Sequence, residues 1–129
     1  MKRLLVTGTR HGWDDTSLRQ GLYWAWTHIT LDPNASTRTL LVHGAAPGVD
    51  TQAASIWASW GLPTEAHPAL WDELGTEAGP IRNSEMVALG ADLCIGFPTI
   101  GSKGTYDTMR KARYAGIRVV DWSEEGDLT

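Results

Sequence analysis

The sequence predicts an α/β fold, a five-stranded parallel sheet covered by helices on both faces. Three observations carry this expectation. Short, continuous apolar runs rich in β-branched residues recur along the 129 residues, and most are closed by Gly or Pro, as strands buried on both faces tend to be. Segments with helical spacing of apolar side chains lie between them. The regular alternation of strand and helix calls for parallel pairing, because each helix returns the chain to the same edge of the sheet.

The elements follow in order. The first strand is read at 4–7, in RLLVTG. DDTS then supplies capping residues, and Leu18, Leu22, Trp26 and Ile29 step along one face of a helix. A second strand falls at 40–43, in TLLVHG, and Ala53, Trp57 and Trp60 mark the second helix. PTEAHP holds a weaker strand at 64–67, and Pro80 is placed to open a helix that runs through Leu89. The fourth strand is 93–97, in DLCIGF; Met109, Ala112 and Ala115 give the last helix its apolar face, and 117–120 is the fifth strand. No repeat, low-complexity tract or linker interrupts the chain, and its length suits one domain over 1–129. The expected architecture is a single Rossmann-like, three-layer α/β/α domain with strand order 3-2-1-4-5.

Composition narrows the function. Lys and Arg total 11 against 15 Asp and Glu, a formal charge of −4. A domain that tracks a phosphate backbone shows a strongly basic face, so nucleic acid is disfavoured as a partner. The one cysteine, Cys94, sits inside ADLCIGF and reads as a small buried hydrophobe. A single cysteine excludes a disulfide framework and a cysteine-based zinc site. His11, His28, His43 and His67 show no metal-ligand spacing, so no metal is expected, and no cofactor either; His43 and His67 do end neighbouring strands and can meet there. MKRLLVTG is too short an apolar run for a signal peptide and no segment approaches a membrane span. The expectation is a cytoplasmic protein without a membrane partner.

In open parallel sheets, ligands bind outside the carboxyl ends of the strands, where the strand order reverses. Order 3-2-1-4-5 puts that point between the first and fourth strands, which exit into TGTRHGW and PTIGSKGT. The second strand exits into HGAAPGVD and the third into HPALWDELGTEAGPIRN, so the glycine-rich and charged loops share one edge. GSKGT opens a helix, and a helix start offers unpaired N–H groups and a positive dipole end to an anion. Gly101 and Gly104 let a phosphate approach the backbone, Ser102 and Thr105 can cap or bond it, Lys103 adds charge, and Pro98 begins the loop. Ser102 precedes Lys103, so the Gly-Lys-Ser/Thr order of a P-loop is missing.

In HGAAPGVD, Gly44 and Gly48 flank a tight turn, and Asp50 at the next helix start either receives ligand hydroxyls or braces the loop. Gly8, Thr9 and Arg10 of TGTR hang over the crevice. No G-x-G-x-x-G is present and no acidic residue closes the second strand, which argues against an NAD dehydrogenase. Arg82 in GPIRNSEM is read in the first turn of a helix, where the dipole disfavours a cation. Its guanidinium is then best explained by a phosphate, whose geometry its fork matches, or by a surface pair with Glu85. Trp13 and Trp71 lie in loops of this edge and are candidates to stack on a base. Trp24, Trp26, Trp57 and Trp60 lie on helices and read as core or as a face for self-association.

Taken in order, TGTR, HGAAPGVD, GPIRNSEM and FPTIGSKGT resemble the YspA/YpsA-type branch of the SLOG superfamily, Rossmann-like domains related to the Lonely-guy phosphoribohydrolases and to the DNA-processing protein DprA. The likeness runs from Arg3 to Val120 or so. It implies a nucleotide or nucleotide-derived ligand, AMP- or ADP-ribose-like, and a homodimer or higher homo-oligomer. Lonely-guy enzymes cleave the N-glycosidic bond of a nucleoside monophosphate, using an Arg-Lys pair on one helix and a P-G-G-x-G-T-x-x-E loop. Arg82 matches that arginine, but Asn83 replaces the lysine. Pro98, Gly104 and Thr105 match the loop, which is longer here and interrupted by Thr99 and Ile100. The glutamate position is Thr108, and threonine cannot serve as a general base near neutral pH. Asp107 is adjacent, but one residue along a helix turns the side chain by about 100°.

Three functions are in view. In the first, the protein binds a nucleotide-derived ligand as a sensor, carrier or sequestering domain, with phosphate at 101–105 and Arg82 and the sugar near Gly8, Arg10 and 44–50. In the second, a phosphoribohydrolase works with Arg82 and with Asp107 or Glu85 in place of the lost glutamate. The third is DprA-like binding of single-stranded nucleic acid, against which the acidic balance counts. The first is preferred, because an intact cradle stands beside a missing carboxylate.

Overall fold

The computed structural model describes residues 1–30 and 38–125. Strands β1 (Lys2–Gly8), β2 (Thr39–His43), β3 (Thr64–Ala66), β4 (Leu93–Phe97) and β5 (Val119–Asp121) form one sheet in the order β3-β2-β1-β4-β5. Every pairing is parallel, with Leu4 beside Leu41 and Leu93, and Leu5 beside Val42 and Cys94. The helices are α1 (Asp15–Ile29), α2 (Val49–Ser59), α3 (Trp71–Leu74), α4 (Ala78–Ala88), α5 (Lys103–Tyr114) and α6 (Trp122–Glu125), and a 3₁₀ turn at Gly75–Glu77 joins α3 to α4.

Alternation along the strands sorts the layers. Leu4, Val6, Leu41, Ile95 and Phe97 pack with α1, α2 and α6 on one face. Leu5, Val42 and Cys94 pack with Met86 and Val87 of α4 and Ala112 of α5 on the other. Burial on both faces is why these strands read as unbroken apolar runs. Trp57 is wholly enclosed in the larger cluster, and its indole N–H donates to the Thr39 carbonyl at 3.0 Å. Burial pushes the Cys94 thiol up to about 12, so it is an inert part of the core, as its setting in the sequence suggests. Asp14 caps α1 by accepting the Ser17 N–H at 3.0 Å. Trp26 and Trp60 stack, with Tyr23 edge-on to both, and the two tryptophans lie half-buried against the core.

Three local features depart from the sequence reading. The third long helix begins at Ala78 rather than Pro80, because the 3₁₀ turn leads straight into it and Pro80, third in the helix, has no N–H to lose there. Arg82 therefore sits in the second turn, where the helix dipole gives no account of it. The short, exposed α3 is too brief to leave a periodic signal. β5 starts at Val119 because Gly116, at φ +84°, turns the chain and the Ile117 N–H returns to the Ala112 carbonyl, making Ile117 part of the exit from α5. Among the described residues, no helix is long and apolar enough to cross a membrane.

Candidate functional site

β1 and β4 are neighbours, but β1 leads to α1 on one face of the sheet and β4 to α5 on the other. Their exit loops diverge, which opens a crevice at the switch point. The loops are tied at its floor: the Thr9 N–H donates to the Phe97 carbonyl at 3.1 Å, and the Thr99 hydroxyl donates to Thr9 Oγ1 at 3.1 Å. Above lies a cleft of about 840 Å³, a size that suits a small-molecule ligand. Its walls come from Gly8, Thr9 and Arg10 after β1, from Asp50 of α2, from Trp71, from Arg82 and Asn83 of α4, and from Gly101, Ser102, Lys103, Gly104, Thr105 and Asp107 at the start of α5. Gly44, Gly48, Pro98, Glu85 and Trp13, also expected at the site, do not line it.

The start of α5 is uncapped. Ser102 holds the N-cap position, yet its side chain makes no capping bond. Its hydroxyl is turned back, donating to the Thr99 carbonyl at 2.8 Å and accepting the Thr99 N–H at 3.1 Å. The N–H groups of Gly104 and Thr105 consequently have no partner among the described residues. Such groups, with the positive end of the helix dipole behind them, form an anion site. A Cβ built on Gly101 or on Gly104 would meet nothing within 4 Å. Gly101 needs its glycine for φ +84°; Gly104 has no such requirement.

Arg82 is fixed by neutral acceptors. Its Nη1 donates to the Gly44 carbonyl and, at 3.3 Å, to the His67 carbonyl, and its Nε donates to Asn83 Oδ1 at 2.8 Å. A Cβ on Gly44 would collide with this guanidinium, so the role of Gly44 is to seat Arg82 rather than to border a ligand. The alternative of an Arg82–Glu85 surface pair does not form among the described residues; Glu85, the other candidate carboxylate, is exposed and outside the cleft.

Asn83, 4% exposed, stitches α4 to α5 by donating to Asp107 Oδ2 at 3.2 Å and to the Gly104 carbonyl at 3.5 Å. Asp107 also pairs with Arg110 and Lys111, each at 2.9 Å. Burial alone would raise its carboxyl, but the bonds from Lys111 and Asn83 and the charges of Lys111 and Arg110 outweigh it and hold the group below the usual carboxylate range. Thr108 is 1% exposed and donates to the Gly104 carbonyl at 3.2 Å. Of the two neighbours, Asp107 faces the cleft and Thr108 packs inward.

The loop after β2 is closed on itself. Asp50 Oδ2 accepts the N–H groups of Gly44 at 3.1 Å and Ala46 at 3.3 Å, so Asp50 braces the loop. Ala45, held at φ 56°, donates its N–H to His43 Nδ1 at 3.0 Å. Gly48, at φ +86°, brings its α-carbon against the carbonyls of Thr9 and Arg10, where no side chain fits. Gly8 similarly makes room for Val49. Burial drives Asp50 up to about 6, against the bonds from Ala46 and Gly44 and the charges of Arg82 and Arg10. Burial, then the charges of His67 and Arg82, hold His43 below its usual value. His43 and His67 adjoin through their backbones, the His67 backbone N–H donating to the His43 carbonyl at 2.8 Å, while the His67 ring turns to Glu65 at 2.7 Å; neither lines the cleft.

The two candidate stacking residues part company. Trp13 packs edge-on against Phe97, ring centroids 5.2 Å apart, and lies half-buried against the core. Trp71 is 45% exposed at the cleft, with the Arg10 guanidinium 5.3 Å from its ring centre. Arg110, Tyr106 and Met86 also line the cleft without having been singled out in the sequence. For Arg110 the signal was there, three residues after Asp107 on a helix.

A parallel sheet of order 3-2-1-4-5 with a cleft at its switch point defines a Rossmann-like α/β protein. The chain is 38% identical over 133 residues to the Gene 61 protein of Mycobacterium phage D29, in an alignment that takes in 97% of this chain and 99% of that protein. It belongs to the same family as that protein. No family model matches the chain, and no solved structure does.

Proposed function

We propose that the protein binds a nucleotide or nucleotide-derived ligand, AMP- or ADP-ribose-like, in this cleft, as a sensing, carrying or sequestering domain of the SLOG type. The observation that carries the reading is the uncapped start of α5 opening on the cleft, with the unpaired N–H groups of Gly104 and Thr105 beside Lys103. Arg82 adds a charge whose orientation is already fixed by Gly44, His67 and Asn83. Trp71 offers a partly exposed ring at the cleft wall, beside Arg10. Calorimetric titration with AMP, ADP-ribose, NAD and cyclic nucleotides tests the proposal. Micromolar binding that weakens in Arg82→Ala is expected; no binding by any of them, or binding indifferent to Arg82→Ala, removes it.

Glycosidic cleavage is the second reading, and it rests on Asp107 facing the cleft where Thr108 does not. It asks for a carboxylate able to act at the sugar, whereas Asp107 is taken up by Asn83, Arg110 and Lys111. Binding without cleavage is therefore the preferred form, and chromatography for free base after incubation with nucleoside monophosphates decides between them. Self-association belongs to the proposal on the strength of the helix tryptophans and the resemblance, with light scattering its test, and a cytoplasmic setting belongs to it as the expectation drawn from the sequence.

A further inference from the structure

One buried polar atom beside the cleft has no partner among the described residues. Asp50 is 6% exposed and forms part of the cleft wall. Its Oδ2 takes the two loop N–H groups, whereas Oδ1 is shut off from solvent and accepts no hydrogen bond. A carboxylate oxygen left bare at this depth is costly, and such atoms in native proteins call for an explanation. The neighbouring cations do not supply the donor. Arg82 commits Nε and Nη1 to Asn83, Gly44 and His67, and Arg10 lies over Trp71. Both bear on Asp50 only as charges through space.

The same carboxylate decides what part of a ligand can lie against it. A phosphate would be repelled, so the anionic end belongs at α5, and the group over Asp50 must be uncharged or cationic and must carry a donor hydrogen. In a nucleotide, the group of that description next to the phosphate is the sugar. We infer that Asp50 Oδ1 accepts a hydrogen bond from a ribose hydroxyl of the bound ligand, so that the site selects a ribosyl compound over its deoxy counterpart. Asp50 lines the cleft, and Oδ1, shut off from solvent, meets the hydroxyl once the carboxylate shifts toward it. This inference rests on the nucleotide reading of the cleft.

Isothermal titration of the full chain with AMP and with 2′,3′-dideoxy-AMP tests it, in the wild type and in Asp50→Asn. The dideoxy compound is expected to bind the wild type roughly tenfold or more weakly, since a hydrogen bond to a charged group is lost and that group stays buried. Asp50→Asn keeps a carbonyl oxygen for the loop N–H groups but sets an amide nitrogen in the place of Oδ1, and should narrow the ratio to about threefold or less. Equal affinities in the wild type, or an unchanged ratio in the variant, overturn the inference and leave nucleotide binding standing. Failure of both compounds to bind removes the nucleotide reading and the inference together. The comparison on the wild type needs no variant, so a poorly folded Asp50→Asn does not blunt it.

Discussion

In the loop after β2, the N–H groups of Gly44 and Ala46 converge on the Asp50 carboxylate, and a side chain on Gly48 would strike the carbonyls of Thr9 and Arg10. In the loop after β4, the N–H groups of Gly104 and Thr105 meet no partner among the described residues, and a Cβ on Gly101 or Gly104 would enter open space. Both loops follow a parallel strand, both are glycine-rich, and both run into a helix. In one, the protein carries its own anion and glycine serves its own close packing. In the other, glycine leaves room and the N–H groups are left without an anion of the protein's own. A glycine-rich turn at a strand end thus has two physical meanings, separated by whether a side chain in the same loop already fills the nest of N–H groups.

The comparison breaks first at Gly48. Gly48→Ala combines a left-handed backbone with a collision against rigid carbonyls and should cost about 3 kcal/mol or more in urea denaturation; a cost below roughly 1 kcal/mol would erase the difference between the loops. The built-in anion comes next. Asp50 is driven up to about 6 by burial, so the folded chain holds its proton when the unfolded chain, near pH 4, has already released it. Stability therefore falls as pH rises from about 4 to 6, by something of order 2–3 kcal/mol in all. Asp107, held low, acts in the opposite sense, losing stability as pH falls. The measurement is accordingly the difference in unfolding free energy between wild type and Asp50→Asn across that range, and a flat difference contradicts the assignment.

Smaller effects sharpen the contrast. Gly44→Ala should dislodge Arg82 and weaken AMP binding about as much as Arg82→Ala does, roughly tenfold for a charge-assisted contact. If Gly44 acts only through Arg82, the double variant binds no worse than either single one, whereas additive losses would show that Gly44 has a separate role. Gly104→Ala should leave the fold intact or raise its stability by about 0.5–1 kcal/mol, as alanine replaces glycine within a helix. The same change should weaken nucleotide binding, and undiminished affinity would mean that the ligand does not approach the backbone there.

The sheet was legible because its strands are buried on both faces, which leaves runs such as LLV and LCIGF that no alternation interrupts. The position of the cleft followed from strand order alone, and so did most of its walls. What escaped was set by contacts distant in sequence. Nothing local to HGAAPGVD reports that Gly44 makes room for Arg82, 38 residues away. The sequence suggests for Arg82 a first-turn position it does not hold; its real constraint is three acceptors drawn from two other segments and its own neighbour. Trp13 and Trp71 look alike as loop aromatics, and only the packing against Phe97 separates a half-buried ring from an exposed one. Asp107 and Thr108 could not be told apart without the helix start at Lys103, which fixes which of them faces the cleft.

The backward turn of the Ser102 hydroxyl has a consequence for motion. A helix lacking its N-cap forgoes about 1 kcal/mol, and that deficit falls on its first turn. The amides of Gly104 and Thr105 should exchange their hydrogens with solvent faster than those around Met109, and an anion seated on them should slow that exchange. An anion bound there would serve α5 as a detachable cap, and the protection of two backbone hydrogens would then gauge whether the cleft is filled.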